Sequence, residues 1–116
     1  MVNKVMLIGN LASDPEVRAS QAGTYVTTLR LATNSYAGKS EDGTRKEHTD
    51  FHNIVFFGKQ AEVAGAHLHK GQLLYVEGRL HTSSWDDAAS GTKRHKTEVI
   101  VEEFTFLGPK PQQAAA

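Results

Sequence analysis

The chain has 116 residues, 13 Lys+Arg against 13 Asp+Glu, and no cysteine. That length suits one domain able to fold without covalent staples, and the missing cysteines exclude disulfides, thiolate catalysis and cysteine-ligated zinc. A formal net charge of zero excludes the simplest electrostatic holder of a polyphosphate, so any nucleic-acid function must rest on local cation clusters and on stacking.

The N-terminus passes from Met1 into Val2-Asn3-Lys4-Val5 without the basic and apolar regions of a secretory signal. No apolar run approaches the roughly 20 residues that cross a bilayer. The expectation is a cytoplasmic protein with no membrane partner.

Val5-Met6-Leu7-Ile8-Gly9 is a short apolar run followed by Asp14-Pro15, which predicts strand one and a turn. After a second turn at Ala22-Gly23, Tyr25 to Thr33 is rich in β-branched residues, with Leu29 and Leu31 alternating about Arg30, and predicts strand two. Asn34 to Lys46 is polar, holds Gly38 and Gly43, and shows neither apolar period, so it reads as a long mobile hairpin loop. His48 to Gly58 predicts strand three, with Phe51, Asn53, Val55 and Phe57 on one face and His52, Ile54 and Phe56 on the other.

Lys59 to about His69 reads as the one helix: Ala61, Ala64 and Leu68 fall three and four apart, and Lys70-Gly71 supplies the stop. Strand four, Leu73 to Trp85, turns Leu74, Val76, Gly78, Leu80 and Thr82 to the core. Its other face, Tyr75, Glu77, Arg79, His81, Ser83 and Trp85, is wet or ligand-bearing. Asp86 to Lys93 is a polar loop. Strand five carries Val99 and Val101, then Phe104 and Phe106 in the opposite parity, so Glu102-Glu103 marks a bulge. Beyond Leu107 the composition is that of a tail, which divides the chain into a domain over 1–108 and a disordered tail or linker stub over 109–116. Five strands with one short helix between strands three and four predict a mainly-β OB-fold barrel, although periodicity alone also permits other small barrels.

Stacking on bases needs an aromatic ring held on a strand or loop, open on one side, near a cation. Trp85, at the end of a polar strand face beside a loop, fits best; covering a barrel end or an oligomer contact is its alternative role. Phe51 and Phe57 share a face about 20 Å apart along an extended strand, and either stacks on bases or packs in the core. Phe56 is read as core. Tyr36 is a further aromatic in the long loop, among the cations Lys39, Arg45 and Lys46; Lys59 starts the helix, and Lys93, Arg94 and Lys96 follow the later loop. Glu41, Asp42, Asp86 and Asp87 interrupt these clusters.

Six histidines invite a metal reading, but His67 and His69 stand two apart and no His-Glu-x-x-His occurs, so no metal site is expected. Without a nucleophile elbow, a Gly-x-x-x-x-Gly-Lys loop or a carboxylate pair in a recognisable setting, no enzyme and no cofactor are expected either.

Asn3-Lys4-Val5-Met6-Leu7-Ile8-Gly9-Asn10-Leu11, then Asp14-Pro15-Glu16-Val17-Arg18, Leu31-Ala32-Thr33, Phe57-Gly58-Lys59, Ala61-Glu62-Val63-Ala64, Lys70-Gly71, Val76-Glu77-Gly78 and Trp85 stand in this order. Over Val2 to about Leu107 the chain resembles the bacterial single-stranded DNA-binding protein family. The resemblance implies a homotetramer of OB-folds that wraps single-stranded DNA with little sequence preference during replication, recombination and repair, in the cytoplasm at the nucleoid. It maps stacking aromatics onto Phe51, Phe57 and Trp85, with Tyr36 or Ala37 as the loop platform. It maps basic contacts onto Lys4, Arg18, Lys46, Lys59 and Lys70, and an oligomer contact onto His52.

Two departures stand out. Between Leu80 and Trp85, where many relatives are basic, His81, Thr82, Ser83 and Ser84 occur, so only a protonated His81 adds charge and pH-sensitive binding is expected. The family's acidic tip is missing from Gln112-Gln113-Ala114-Ala115-Ala116, so recruitment of replication and repair enzymes is not carried over. An accessory or RNA-binding OB protein, and a protein-interaction barrel, are the competing readings.

Overall fold

Apolar residues at alternate strand positions turn inward and meet. Leu29, Leu31, Ile54, Phe56, Leu74, Val76, Val99 and Val101 form one buried cluster with Leu11, Ala61, Ala64 and Leu68. The computed structural model describes residues 1–39 and 41–108, the side chains of residues 37, 45 and 46 excepted. The expected tail, 109–116, lies outside the described residues.

In chain order the elements are β1 (Val5–Leu11), β2 (Glu16–Ala19), β3 (Tyr25–Lys39), β4 (Arg45–Phe57), α1 (Lys59–His67), β5 (Leu73–Asp86) and β6 (Lys93–Phe106). The sheet order is β1-β5-β6-β4-β3-β2, with a further β1–β3 pairing. Along one edge of β3, Asn10 and Leu11 of β1 face Ala32 and Leu31, and Glu16 to Ala19 of β2 face Thr28 to Tyr25. Thus β1 and β2 are two halves of one broken strand, and the β1–β3 contact closes a five-stranded barrel of the expected OB type. The helix falls between β4 and β5, the third and fourth strands of that barrel. All four residues of β2 are exposed; with no buried face it lacks the alternation by which a strand is recognised, which is why the sequence does not reveal it.

The expected mobile loop over Asn34 to Lys46 is corrected. The β3–β4 ladder runs unbroken from Val26↔Phe57 to Tyr36↔Glu47 and, after an irregularity, to Lys39↔Arg45. This arm is polar on both faces and is held by backbone pairing and by bonds such as Thr49 Oγ1 to Asn34 Oδ1 at 2.7 Å. A second arm forms where β5 and β6 continue to Asp86↔Lys93. Leu80, expected in the core, is 48% exposed, because β5 has left the barrel by that point. The two arms raise the Cα radius of gyration to 16.9 Å, against about 13 Å for a compact chain of this length.

Two details set the barrel's curvature. Glu77 faces Glu103 and Gly78 faces Val101, leaving Glu102 unopposed, so the register changes at the pair that implied a bulge. A Cβ on Gly78 would lie 2.0 Å from the Ile100 carbonyl oxygen, so the strands can approach this closely only at glycine. In the core below, Phe56 meets Phe104 edge to face at 5.1 Å. The helix docks through buried Ala61 and Ala64, and the Thr27 hydroxyl donates to the Ala61 carbonyl at 2.6 Å. Its end at His67 is close to the predicted one.

Candidate nucleic-acid interface

Cross-strand partners project to the same face of a sheet, so the registers define the barrel's outer surface. On β3 and β4, Arg30, Ala32, Asn34 and Tyr36 lie opposite Asn53, Phe51, Thr49 and Glu47. On β5 and β6, Arg79, His81, Ser83 and Trp85 lie opposite Ile100, Glu98, Lys96 and Arg94. The parallel pairs Ile54↔Val99 and Val55↔Ile100 join the two ladders into one surface.

Four rings emerge on it: Tyr36 is 54% exposed, Phe51 52%, Phe57 47% and Trp85 46%. A ring half covered has one flank packed against its strand and one open to water, as a stacking platform requires. Phe51 and Phe57 therefore do not pack wholly in the core, whereas Phe56 is fully buried.

Cations are interleaved with these rings. Arg30 places its guanidinium carbon 4.8 Å from the Phe51 ring centroid, a cation–π contact. Carboxylates hold others: Arg94 Nε lies 2.6 Å from Asp87 Oδ2, and Lys96 Nζ 3.4 Å from Glu98 Oε2. The Ala89 backbone N–H and then Arg94 hold the Asp87 carboxyl below the usual aspartate range. Between β3, β4 and β6 lies a cleft of about 210 Å³, lined by Asp14, Thr28, Arg30, Asn53, Lys96 and Glu98 among others.

The remaining sequence-derived candidates are spread around the molecule. His81 is exposed on the same surface, with Glu98 as its cross-strand partner. Lys39 ends β3 in the first arm; Lys46 belongs to β4, and its side chain lies outside the described residues. Lys59, at the start of α1, is exposed. Arg18, on β2, pairs with Glu16 at 3.1 Å. Lys70 is exposed, and its backbone N–H donates to Asp14 Oδ1 at 2.9 Å, tying the first turn to the end of the helix region. His52 has the inward parity; it is half-buried, with Nε2 2.8 Å from Thr33 Oγ1.

Lys4 lies elsewhere, on the β1–β5 part of the barrel, with Nζ 2.8 Å from Glu77 Oε1. The bond to Glu77 raises the Lys4 pKa, and bonds from Lys4 and then Glu103 lower that of Glu77. Partial burial, reinforced by the Glu77 charge, raises Tyr75. Met6 and Ile8 stand exposed on the same strand face as this network.

Sequence reasoning missed Arg30, Asn53 and Glu98 as site residues. Alternation with Leu29 and Leu31 already turned Arg30 outward, but only the β3–β4 register brings it to Phe51. Among the described residues no group of three or more potential ligands is placed to hold a metal ion, and no helix is long and apolar enough to cross a membrane.

Residues 2–107 match the model of the single-strand binding protein family. The chain is 44% identical over 109 residues to single-stranded DNA-binding protein 1 of Chlorobaculum tepidum, covering 94% of this chain and 67% of that one. It is 42% identical over 109 residues to single-stranded DNA-binding protein 1 of Xylella fastidiosa, covering 94% and 79%. Among solved structures, the Plasmodium falciparum SSB in complex with ssDNA superposes with a TM-score of 0.79 at 32% identity, over 93% of this chain and 96% of that one. A family model spanning the whole barrel, agreeing in sequence and in fold with these relatives, establishes that the chain belongs to the single-strand binding protein family.

Proposed function

We propose that this protein binds and protects single-stranded DNA without chemistry, during replication, recombination and repair. The observation that carries the reading is the set of half-exposed rings, Phe51, Phe57, Trp85 and Tyr36, on the outer surface of the joined sheet, with Arg30 held over one of them. Unpaired bases stack on such rings, each contact contributing about 1–3 kcal/mol, while lysines and arginines follow the phosphates. Lys39, Lys46, Lys59 and Lys70 serve that backbone role, with Arg18 released from Glu16 as DNA arrives, while Lys4 stays with Glu77 on the face left to a second copy. His81 adds charge when protonated. Family membership supports the same reading, as does the relative bound to ssDNA.

The protein acts as a homotetramer on nucleoid DNA in the cytoplasm. Val5 to Gly9 pair with β5 along one edge only among the described residues, and exposed Met6 and Ile8 beside them give a second copy an apolar surface to cover. His52 contributes to contacts between copies. The barrel over 1–108 is the binding unit, with 109–116 as a tail.

Replacing Phe51, Phe57 and Trp85 together by alanine tests the reading. Expected is a loss of oligonucleotide affinity of at least 100-fold, the sum of several stacking contacts, with the oligomer seen by light scattering unchanged. Unchanged affinity with a dissolved oligomer would show instead that the rings serve protein contacts.

A further inference from the structure

We propose that the cleft between β3, β4 and β6 reads the Watson–Crick edge of one base and favours guanine there, with Glu98 as the discriminating acceptor. The inference rests on the reading that the chain binds single-stranded DNA, and adds to it a preference at one point of an otherwise indifferent track.

Phe51 and Phe57 are separated on the outer face of β4 by Asn53 and Val55. The Asn53 position belongs to a polar row. Arg30 lies across from it on β3; extending the parallel register by one residue sets Glu98 beside it on β6; and His81 lies across from Glu98 on β5. Arg30, Asn53 and Glu98 line the same cleft of about 210 Å³. That is below the roughly 300–1,000 Å³ of pockets that enclose whole small molecules, and suits the edge of a flat base whose face rests on a neighbouring ring.

The charges decide which part of a nucleotide enters. Glu98, Asp14 and Glu16, the last paired with Arg18, line the cleft with Arg30 and Lys96, so a phosphate meets carboxylates there and is better held at the rim. The Glu98 side chain is only 20% exposed, and Lys96 fixes one oxygen at 3.4 Å. The Asn53 amide is half-buried and makes no hydrogen bond among the described residues.

A carboxylate is acceptor-only, and single-stranded bases are read along such edges. Guanine presents two parallel donors, N1–H and the N2 amino group, that match the two oxygens. Adenine and cytosine each set an acceptor nitrogen beside their one amino group, and thymine flanks N3–H with two carbonyls. Guanine O6 is left for the Asn53 amide or the Arg30 guanidinium to donate to.

The test is a titration of the full chain with a short oligo-dT strand in which one central dT is exchanged for dG or for deoxyinosine, which keeps N1–H and lacks the N2 amino group. The dG strand should bind more tightly than the dT strand by on the order of 5-fold, the low end for a bidentate base contact. Deoxyinosine should lose most of that gain, and Glu98→Gln should bring the dG-to-dT ratio to unity. Equal binding of dG and dT, equal binding of dG and deoxyinosine, or a ratio unaltered by Glu98→Gln would each overturn the proposal while leaving the single-strand reading intact. Failure to bind the dT strand at all would overturn that reading and this subsite together.

Discussion

Trp85 joins sequence to function at the scale of single residues. It ends the polar face of β5, shares its register position with Arg94, and is half exposed. Strand parity alone placed it outward, because one misplaced residue would have turned Leu74 and Val76 out of the core; for Phe51 and Phe57 parity left both roles open, since large apolar residues stand on both faces of β4. Trp85→Ala should weaken oligonucleotide binding by about 1–3 kcal/mol, read as a rise in Kd without a fall in Tm. An unchanged Kd would remove Trp85 from the track.

The Lys4–Glu77 pair makes a separate prediction about pH. The pKa of Glu77 is lower in the folded chain than its ordinary 4.5. The stability it contributes is therefore complete above that value and is lost as pH falls through the lower folded one. Glu77→Gln should be less stable than the parent at neutral pH and converge with it in acid, as read by Tm against pH. Parallel curves would contradict this origin. The partner of Lys4 was not legible in the sequence, since both residues fit a DNA-facing surface until the β1–β5 register is known.

Elements were legible in proportion to how dry one of their faces is. The barrel portions of β1, β3, β4, β5 and β6 show alternation because every second residue enters the core. The β3–β4 arm and β2 are wet on both faces and carry no apolar period, so pairing along a neighbouring backbone alone makes them strands, whereas the β5 part of the second arm was legible by carrying the alternation of Leu74 and Val76 outward. The bulge at Glu102 was visible because it reverses the parity of the apolar residues around it.

The bulge also makes a prediction at this scale. Gly78→Val places a side chain against the Ile100 carbonyl and should cost about 1–3 kcal/mol, as overpacking does, seen as a lower Tm. A variant as stable as the parent would show that the strands can part at this point. Phe56→Ala should cost more, about 3–5 kcal/mol, from the cavity left beside Phe104.

At the scale of the molecule, binding must be reconciled with a net charge of zero. Attraction is local: Arg30 lies at Phe51, Lys59 and Lys70 are exposed, and Arg18, Arg94 and Lys96 sit against carboxylates that DNA phosphates would displace. Log affinity should still fall linearly with log salt, with a slope of about −0.7 for each phosphate contacted, and Lys59→Ala should reduce the slope by about that amount. A slope unaffected by the substitution would remove Lys59 from the phosphate track. Barrel closure through β1 and β3, and the cleft beside Glu98, depend on contacts between distant segments and stayed hidden until the registers were known.

The most direct test uses the single tryptophan. Its fluorescence should be quenched saturably as a long poly-pyrimidine strand is added in dilute buffer, and far less by duplex DNA, whose bases are already stacked and paired. A folded protein whose emission and light scattering both ignore that strand would contradict the claim that exposed rings on this barrel hold unpaired bases.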